Sequence, residues 1–193
     1  MPFFDGPSRR MEREEYEAAF DWVQNHFSFV WQDDGGLSDI DSVLDRLRVA
    51  IFRHGIRGVL VDPVNFLARD TRTTSETEWV STFLTKLKVF AMSHGVHLWL
   101  VAHPAKLQKG VDGKIPPPKG YEISGSAHYF NKADCGVTVH RDMDEPHITQ
   151  VHVWKCRFSW VGKQGMTNLI YDRRSTTYSE VPEDYQFDTG FQL

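Results

Sequence analysis

The chain has 193 residues, 40% of them apolar and 25% charged, with a formal net charge of −4. This length predicts one domain with room for a proper core. The acidic balance excludes a global basic field, so any contact with nucleic acid has to be local. Cys135 and Cys156 are the two cysteines, far apart and outside any Cys-x-x-Cys pattern. That argues against a disulfide framework or a zinc site and for an intracellular setting. No run approaches the ~20 apolar residues that span a bilayer. Met1–Asp5 lacks the basic and apolar regions of a signal peptide.

A loop with Gly6, Pro7 and Ser8 leads into a predicted helix from Met11 to Asn25. Tyr16, Phe20 and Val23 fall at helical spacing there, so one face should pack on a core. Phe27 to Trp31 is a short strand candidate, and Asp33-Asp34-Gly35-Gly36 is a turn. A helix capped by Ser38 or Asp39 should run to about Phe52. Its stripe is Ile40, Val43, Leu44, Leu47 and Ile51, and Gly55 closes it. Gly58-Val59-Leu60-Val61 then runs without polar alternation and stops at Asp62-Pro63. A continuous run of this kind fits a parallel strand buried on both faces. A polar loop spans 66–75, and a long helix is expected from Glu76 to Ser93 with Trp79, Phe83, Leu84, Leu87 and Phe90 inward. Gly95 ends it, and Val96 to Ala102 is a second buried strand that stops at His103-Pro104. The order strand, helix, strand predicts a parallel α/β unit.

Residues 103–124 carry lysine, glycine and proline without apolar periodicity, and a loop this long inside a domain is usually functional or mobile. Ser124-Gly125-Ser126 should begin a short helix that ends near Lys132. After Asp134 the period changes to two, which predicts strands at 135–141, 148–155 and 166–172 with a turn at Gly162–Gly165. The tail after Pro182 reads as acidic and loose.

Ligands of open α/β sheets bind beyond the carboxyl ends of strands. Asp62 and His103 both stand at such ends. An aspartate there can hold a metal ion and its waters beside a phosphate chain. A neutral histidine can hydrogen-bond a phosphate oxygen and lose that bond on product release. Each residue also has an ordinary explanation as a solvated turn acid or a satisfied strand-end histidine. Lys155-Cys156-Arg157, on a later strand, reads equally as surface charge.

Taken together, the order of these motifs resembles the carboxyl-terminal RecA-like motor domain of DnaB-type replicative helicases, within them the branch of phage primase-helicases and Twinkle. The resemblance covers about residues 9 to 179. It rests on the strand ending in Asp62; on Leu98-Trp99-Leu100-Val101-Ala102-His103-Pro104-Ala105-Lys106; on Gly125-Ser126-Ala127 followed by Lys132-Ala133-Asp134; and on Lys155-Cys156-Arg157-Phe158 before a glycine turn. It implies a RecA-like α/β fold of the P-loop NTPase superfamily, with a parallel or mixed sheet flanked by helices and truncated at the amino-terminal side. Residues 1–180 would form a partial motor domain and 181–193 a loose tail. It also implies ATP and Mg²⁺ as cofactors. Asp62 would be the Walker B acid and Mg²⁺ site. His103 would be the γ-phosphate sensor, and Asn131 would stand near the nucleotide. Arg157 would be an arginine finger acting in a neighbouring subunit, with Lys155 beside it, and Lys106, Lys109 and Lys114 would contact DNA. The implied partners are single-stranded DNA and other copies, or a complementary helicase subunit, in a ring. No membrane is implied. The implied setting is cytoplasmic, in a bacterium or phage-infected cell, ahead of an organellar matrix.

The chain departs from that pattern in two places. It holds no Gly-Lys-Ser/Thr loop to cradle phosphates, and no counterpart of the family's earlier catalytic glutamate. Asn131 stands where many members carry glutamine, a longer arm. Negligible ATP hydrolysis by these residues alone is the resulting expectation, and a sheet edge should be left open. Two other readings are a non-enzymatic module that binds single-stranded DNA or caps an oligomer, and a metal-dependent phosphoesterase built on Asp62, Asn65, His97 and His103.

Overall fold

The computed structural model describes residues 11–30, 39–62, 75–111, 113–123, 127–141, 145–173 and 175–182. Expectations for the opening loop 1–10, Trp31, the Asp33–Gly36 turn, residues 66–74, Ser124–Ser126 and the tail from residue 183 lie outside those residues. The chain forms two compact units. One holds 1–105 and 123–132, the other 106–122 and 133–193.

The first unit is the α/β one. Helix α1 spans Arg13–His26, α2 spans Ile40–His54, strand β1 spans Gly58–Val61, α3 spans Glu76–His94, β2 spans His97–Leu100 and α4 spans His128–Lys132. Asp39 starts α2, its Oδ1 accepting from the backbone N–H groups of Asp41 and Ser42 at 2.9 and 3.0 Å. Those amides lack partners inside the helix, so the cap is worth about 1 kcal/mol. The Ser42 hydroxyl and these amides hold the Asp39 carboxyl below its ordinary value. Ser75 and Glu78 cap α3 reciprocally. Gly55 and Gly95 end α2 and α3 at φ 62° and 63°, a left-handed conformation that glycine enters without Cβ strain.

Ile40, Leu44 and Leu47 of α2 meet Val80, Phe83, Leu87 and Phe90 of α3 over Val59, Val96 and Tyr129. Spacings of three and four place each set on one helix face. Phe83, 1% exposed, sits deepest among the described aromatic residues. Lys132 at the end of α4 reaches back to α3, where its Nζ donates to Ser81 O at 2.7 Å and to Thr85 Oγ1 at 2.6 Å.

β1 and β2 pair in parallel, with Val59 opposite Leu98 and Val61 opposite Leu100. These four side chains turn to the helices. The expected burial on both faces is not found, because Leu60 and Trp99 on the opposite face are 64% and 56% exposed. Among the described residues only one layer of helices covers the pair, so the alternate side chains stay open. Helix α1 forms as expected, but its apolar face does not pack on a core: none of its residues is buried. Tyr16 and Phe20 stack on each other instead, at 6.1 Å. Phe27–Val30 is exposed and makes no strand, since no described neighbour offers it a ladder.

The second unit is an antiparallel sheet in the order β3 (Cys135–His140), β4 (Ile148–Cys156), β5 (Gly165–Asp172) and β6 (Thr177–Glu180). The sequence pattern does not predict β6; its four residues are polar or aromatic and all exposed, so no burial period marks them. β3 and β4 shift register between Gly136 and Val137, leaving Trp154 as the extra residue. The Trp154 indole fills the space over Gly136, where a Cβ would lie 2.1 Å from the ring. Glycine at 136 is therefore a packing requirement.

Candidate functional site

The first unit brings Asp62 and His103 to one end of two adjacent strands. Asp62 follows β1 directly. Val101 N–H donates to Val61 O at 2.9 Å, so the pairing continues one step past the strands. His103 follows two residues later, and Pro104 bridges to Ile123. That bridge cinches the base of the long loop. Asp62 and His103 are both exposed, so a ligand could reach them from solvent. Asn131 lies exposed on α4.

Asn65 lies outside the described residues. His97 sits at the start of β2 opposite Gly58, at the far end of the strand pair from Asp62. Four residues of strand separate those ends by about 13 Å. His97 also packs on Trp99, with ring centroids 4.8 Å apart. The four-residue phosphoesterase set is thus not assembled. Among the described residues no group of three or more His, Cys, Asp or Glu side chains could hold a metal. A lone carboxylate such as Asp62 suits Mg²⁺, which keeps several waters and takes few protein ligands beside substrate phosphates.

The second unit carries the basic residues. Lys106, Lys109 and Lys114 are exposed on the loop. Gly110 N–H donates to Lys114 O at 2.8 Å and Gly113 N–H to Gly110 O at 3.0 Å, with Gly113 at φ 77°. Lys109 and Lys114 therefore flank a tight tip, with Val111 fully exposed upon it. The loop is tied to the sheet farther on, where Thr138 Oγ1 donates to Pro118 O at 2.5 Å and accepts from Trp154 Nε1 at 3.1 Å. Between loop and sheet lies an open cleft of about 550 Å³, lined by Gly110, Lys114, Ile115, Pro117, His140 and Gln150. His152 shares that sheet face and contacts Gln150 at 3.0 Å. Burial, then the charges of His140 and Lys119, push its imidazole below the ordinary value.

Arg157 directly follows β4 and is held by Asp134. Its backbone N–H donates to Asp134 O at 2.8 Å, and its Nη1 lies 3.3 Å from Asp134 Oδ1. Both side chains are 40% exposed, so the pair is worth no more than about 1 kcal/mol and can be exchanged for another anion. Lys155 lies opposite Gly136 in register and is half-buried. Phe158 and Trp160 contact each other beyond Arg157 at 5.0 Å. Sequence reasoning missed the Asp134 partnership; an acid adjoining the first strand of an antiparallel pair was the available signal.

The profile of the family described as "AAA domain" matches residues 6–109, more than half of the chain. The chain belongs to the AAA-domain family. It is 42% identical over 190 residues to the Twinkle homolog protein, chloroplastic/mitochondrial, of Arabidopsis thaliana, covering 94% of this chain and 26% of that protein. It is 23% identical over 184 residues to the DNA helicase/primase of Enterobacteria phage T3, covering 91% of this chain and 32% of that protein. The chain thus spans between a quarter and a third of the length of these relatives. A DnaB-like replicative helicase, solved for its interactions with primase, superposes with a TM-score of 0.71 at 17% identity, over 92% of this chain and 44% of that one. This AAA-domain chain has the RecA-like fold of DnaB-type helicases. No helix among its described residues is long and apolar enough to cross a membrane.

Proposed function

We propose that this chain is part of a replicative DNA helicase motor, one that couples ATP hydrolysis to movement along single-stranded DNA and to duplex unwinding. The observation that carries the reading is the delivery of Asp62 and His103 to the same end of two parallel strands. Phosphoryl transfer needs positioning and positive charge more than covalent chemistry. In this reading Asp62 would hold Mg²⁺, which would supply charge neutralisation at the phosphates. His103 hydrogen-bonds the terminal phosphate, and its state passes along the chain to the lysine loop that begins three residues later. Asn131 stands beside the nucleotide. Lys106, Lys109 and Lys114 follow the DNA backbone by charge. Arg157 leaves Asp134 for the phosphate of a neighbouring subunit's nucleotide, with Lys155 supporting it. Exchange of one exposed anion for another costs little, which suits a residue that must engage and release.

The 193 residues hold no phosphate-cradling loop, so turnover requires that element from another stretch of polypeptide. ATP hydrolysis by the 193-residue chain with Mg²⁺ and single-stranded DNA should be negligible, while fluorescence anisotropy should detect DNA binding that weakens with salt. Robust turnover by the chain alone, or DNA binding indifferent to Lys106→Ala with Lys109→Ala, would overturn the reading.

A further inference from the structure

We propose that Cys135 and Cys156 are a site of reversible oxidation, closing an intrachain disulfide that clamps Arg157 beside Asp134. The two residues are direct cross-strand partners in β3 and β4. The bond from Arg157 N–H to Asp134 O joins the residue after Cys156 to the residue before Cys135. In an antiparallel ladder that pattern marks Cys135 and Cys156 as a non-hydrogen-bonded pair, the kind whose Cα atoms approach to about 4.5 Å. Disulfides need Cα atoms between about 4.4 and 6.8 Å apart. The strands thus already stand within bonding range, and the pairing register places both thiols on one face of the sheet; Cys156 Sγ donates to Phe158 O at 3.4 Å, a weak contact that a disulfide would replace. Both cysteines are free thiols, Cys135 exposed and Cys156 half-buried, so a small oxidant can reach them. Burial, then the neighbouring Cys156 thiol, raises the Cys135 thiol above its ordinary value.

A low-molecular-weight disulfide such as oxidised glutathione is the oxidant. One protein thiolate attacks a sulfur of that disulfide, forms a mixed disulfide and expels one glutathione thiolate. The second protein thiolate attacks the mixed disulfide at the protein sulfur and expels the other glutathione. The two cysteines are oxidised, one glutathione disulfide is reduced to two thiols, and the two protein thiol protons pass to the expelled thiolates. Dithiothreitol reverses the sequence.

The consequence falls on Arg157. Asp134 precedes one cysteine and Arg157 follows the other, so the covalent link brackets the 3.3 Å ion pair. Oxidation holds the guanidinium on its own chain's carboxylate. Under the motor reading this withdraws Arg157 from any neighbouring site, but the link itself does not depend on that reading.

The test incubates the folded 193-residue chain with oxidised glutathione and reads intact mass, thiol content and backbone hydrogen exchange, none of which involves ATP or DNA. The expected product is monomeric, lacks two hydrogens, retains no glutathione and has lost both titratable thiols. Cys135→Ser and Cys156→Ser variants lose no pair of hydrogens. Exchange at the Arg157 amide slows in the oxidised wild-type chain and returns to its starting rate with dithiothreitol. A stable glutathione adduct, an intermolecular dimer, unreacted thiols, or a disulfide that leaves Arg157 exchange unchanged would overturn the proposal.

Discussion

The two units are built by different physics. The first closes α2, α3, β1 and β2 around Phe83 and its neighbours, and its buried hydrophobic cluster runs from Ile40 to Tyr129. The second has Ile148 and Thr149 buried in β4 but no comparable cluster among the described residues; backbone ladders, the Trp154–Gly136 contact, the Tyr171–Tyr178 ring pair and a few polar ties help hold it. Asp62 and His103 therefore stand on a packed frame. Arg157 follows a ladder strand that is largely only half-buried, and the lysines stand on an exposed loop. Under the proposed motor reading, the packed frame would fix the phosphate end and the loop and Arg157 would respond to it.

Substitutions can break this contrast in order of expected size. Phe83→Ala should cost about 3–5 kcal/mol, since it leaves a cavity in a core that cannot collapse around it. Urea unfolding followed by circular dichroism checks this, and a loss below ~1 kcal/mol would mean the first unit is not held by its core. Gly136→Ala should cost about 1–3 kcal/mol, because the added methyl drives into the Trp154 indole. Hydrogen exchange at the β3–β4 amides over the same titration reads the second unit.

Lys109→Ala with Lys114→Ala should leave both unfolding midpoints unchanged. It should weaken single-stranded DNA binding and reduce the salt slope by about 1.4, at ~0.7 for each phosphate no longer neutralised. An unchanged slope would remove these lysines from the DNA path. The smallest effect belongs to His152. Its folded value lies below the ordinary 6.5, so the unfolded chain takes up the proton first as pH falls. His152 thus costs no stability well above 6.5, and stability is lost as pH drops through that value toward the folded one. Urea midpoints should fall from about pH 7.5 to about pH 5.5, and less steeply in His152→Gln.

Periodicity made α2 and α3 legible, and Asp39, Gly55 and Gly95 marked their ends. Apolar runs found β1 and β2, and with them the shared end that carries Asp62 and His103. What the sequence could not carry was context. The stripe of Tyr16 and Phe20 makes a helix whether or not anything covers it, and Leu60 is as apolar as Val59 on the covered face. The Trp154 bulge needs the partner strand to define it. The Asp134–Arg157 pair joins residues brought together only by the β3–β4 register. Local pattern thus found the elements and the strand-end residues, while the ties that hold Arg157 and the lysine loop arise across the sheet.

The central claim is that Asp62 serves a nucleotide site completed by a phosphate-cradling loop outside these 193 residues. The most direct measurement is ATP hydrolysis after the 193-residue chain is mixed with a RecA-like segment that carries a Gly-Lys-Ser/Thr loop but is inactive alone. Mg²⁺-dependent turnover should appear on mixing and vanish with Asp62→Asn. Turnover that survives Asp62→Asn unchanged would contradict the account.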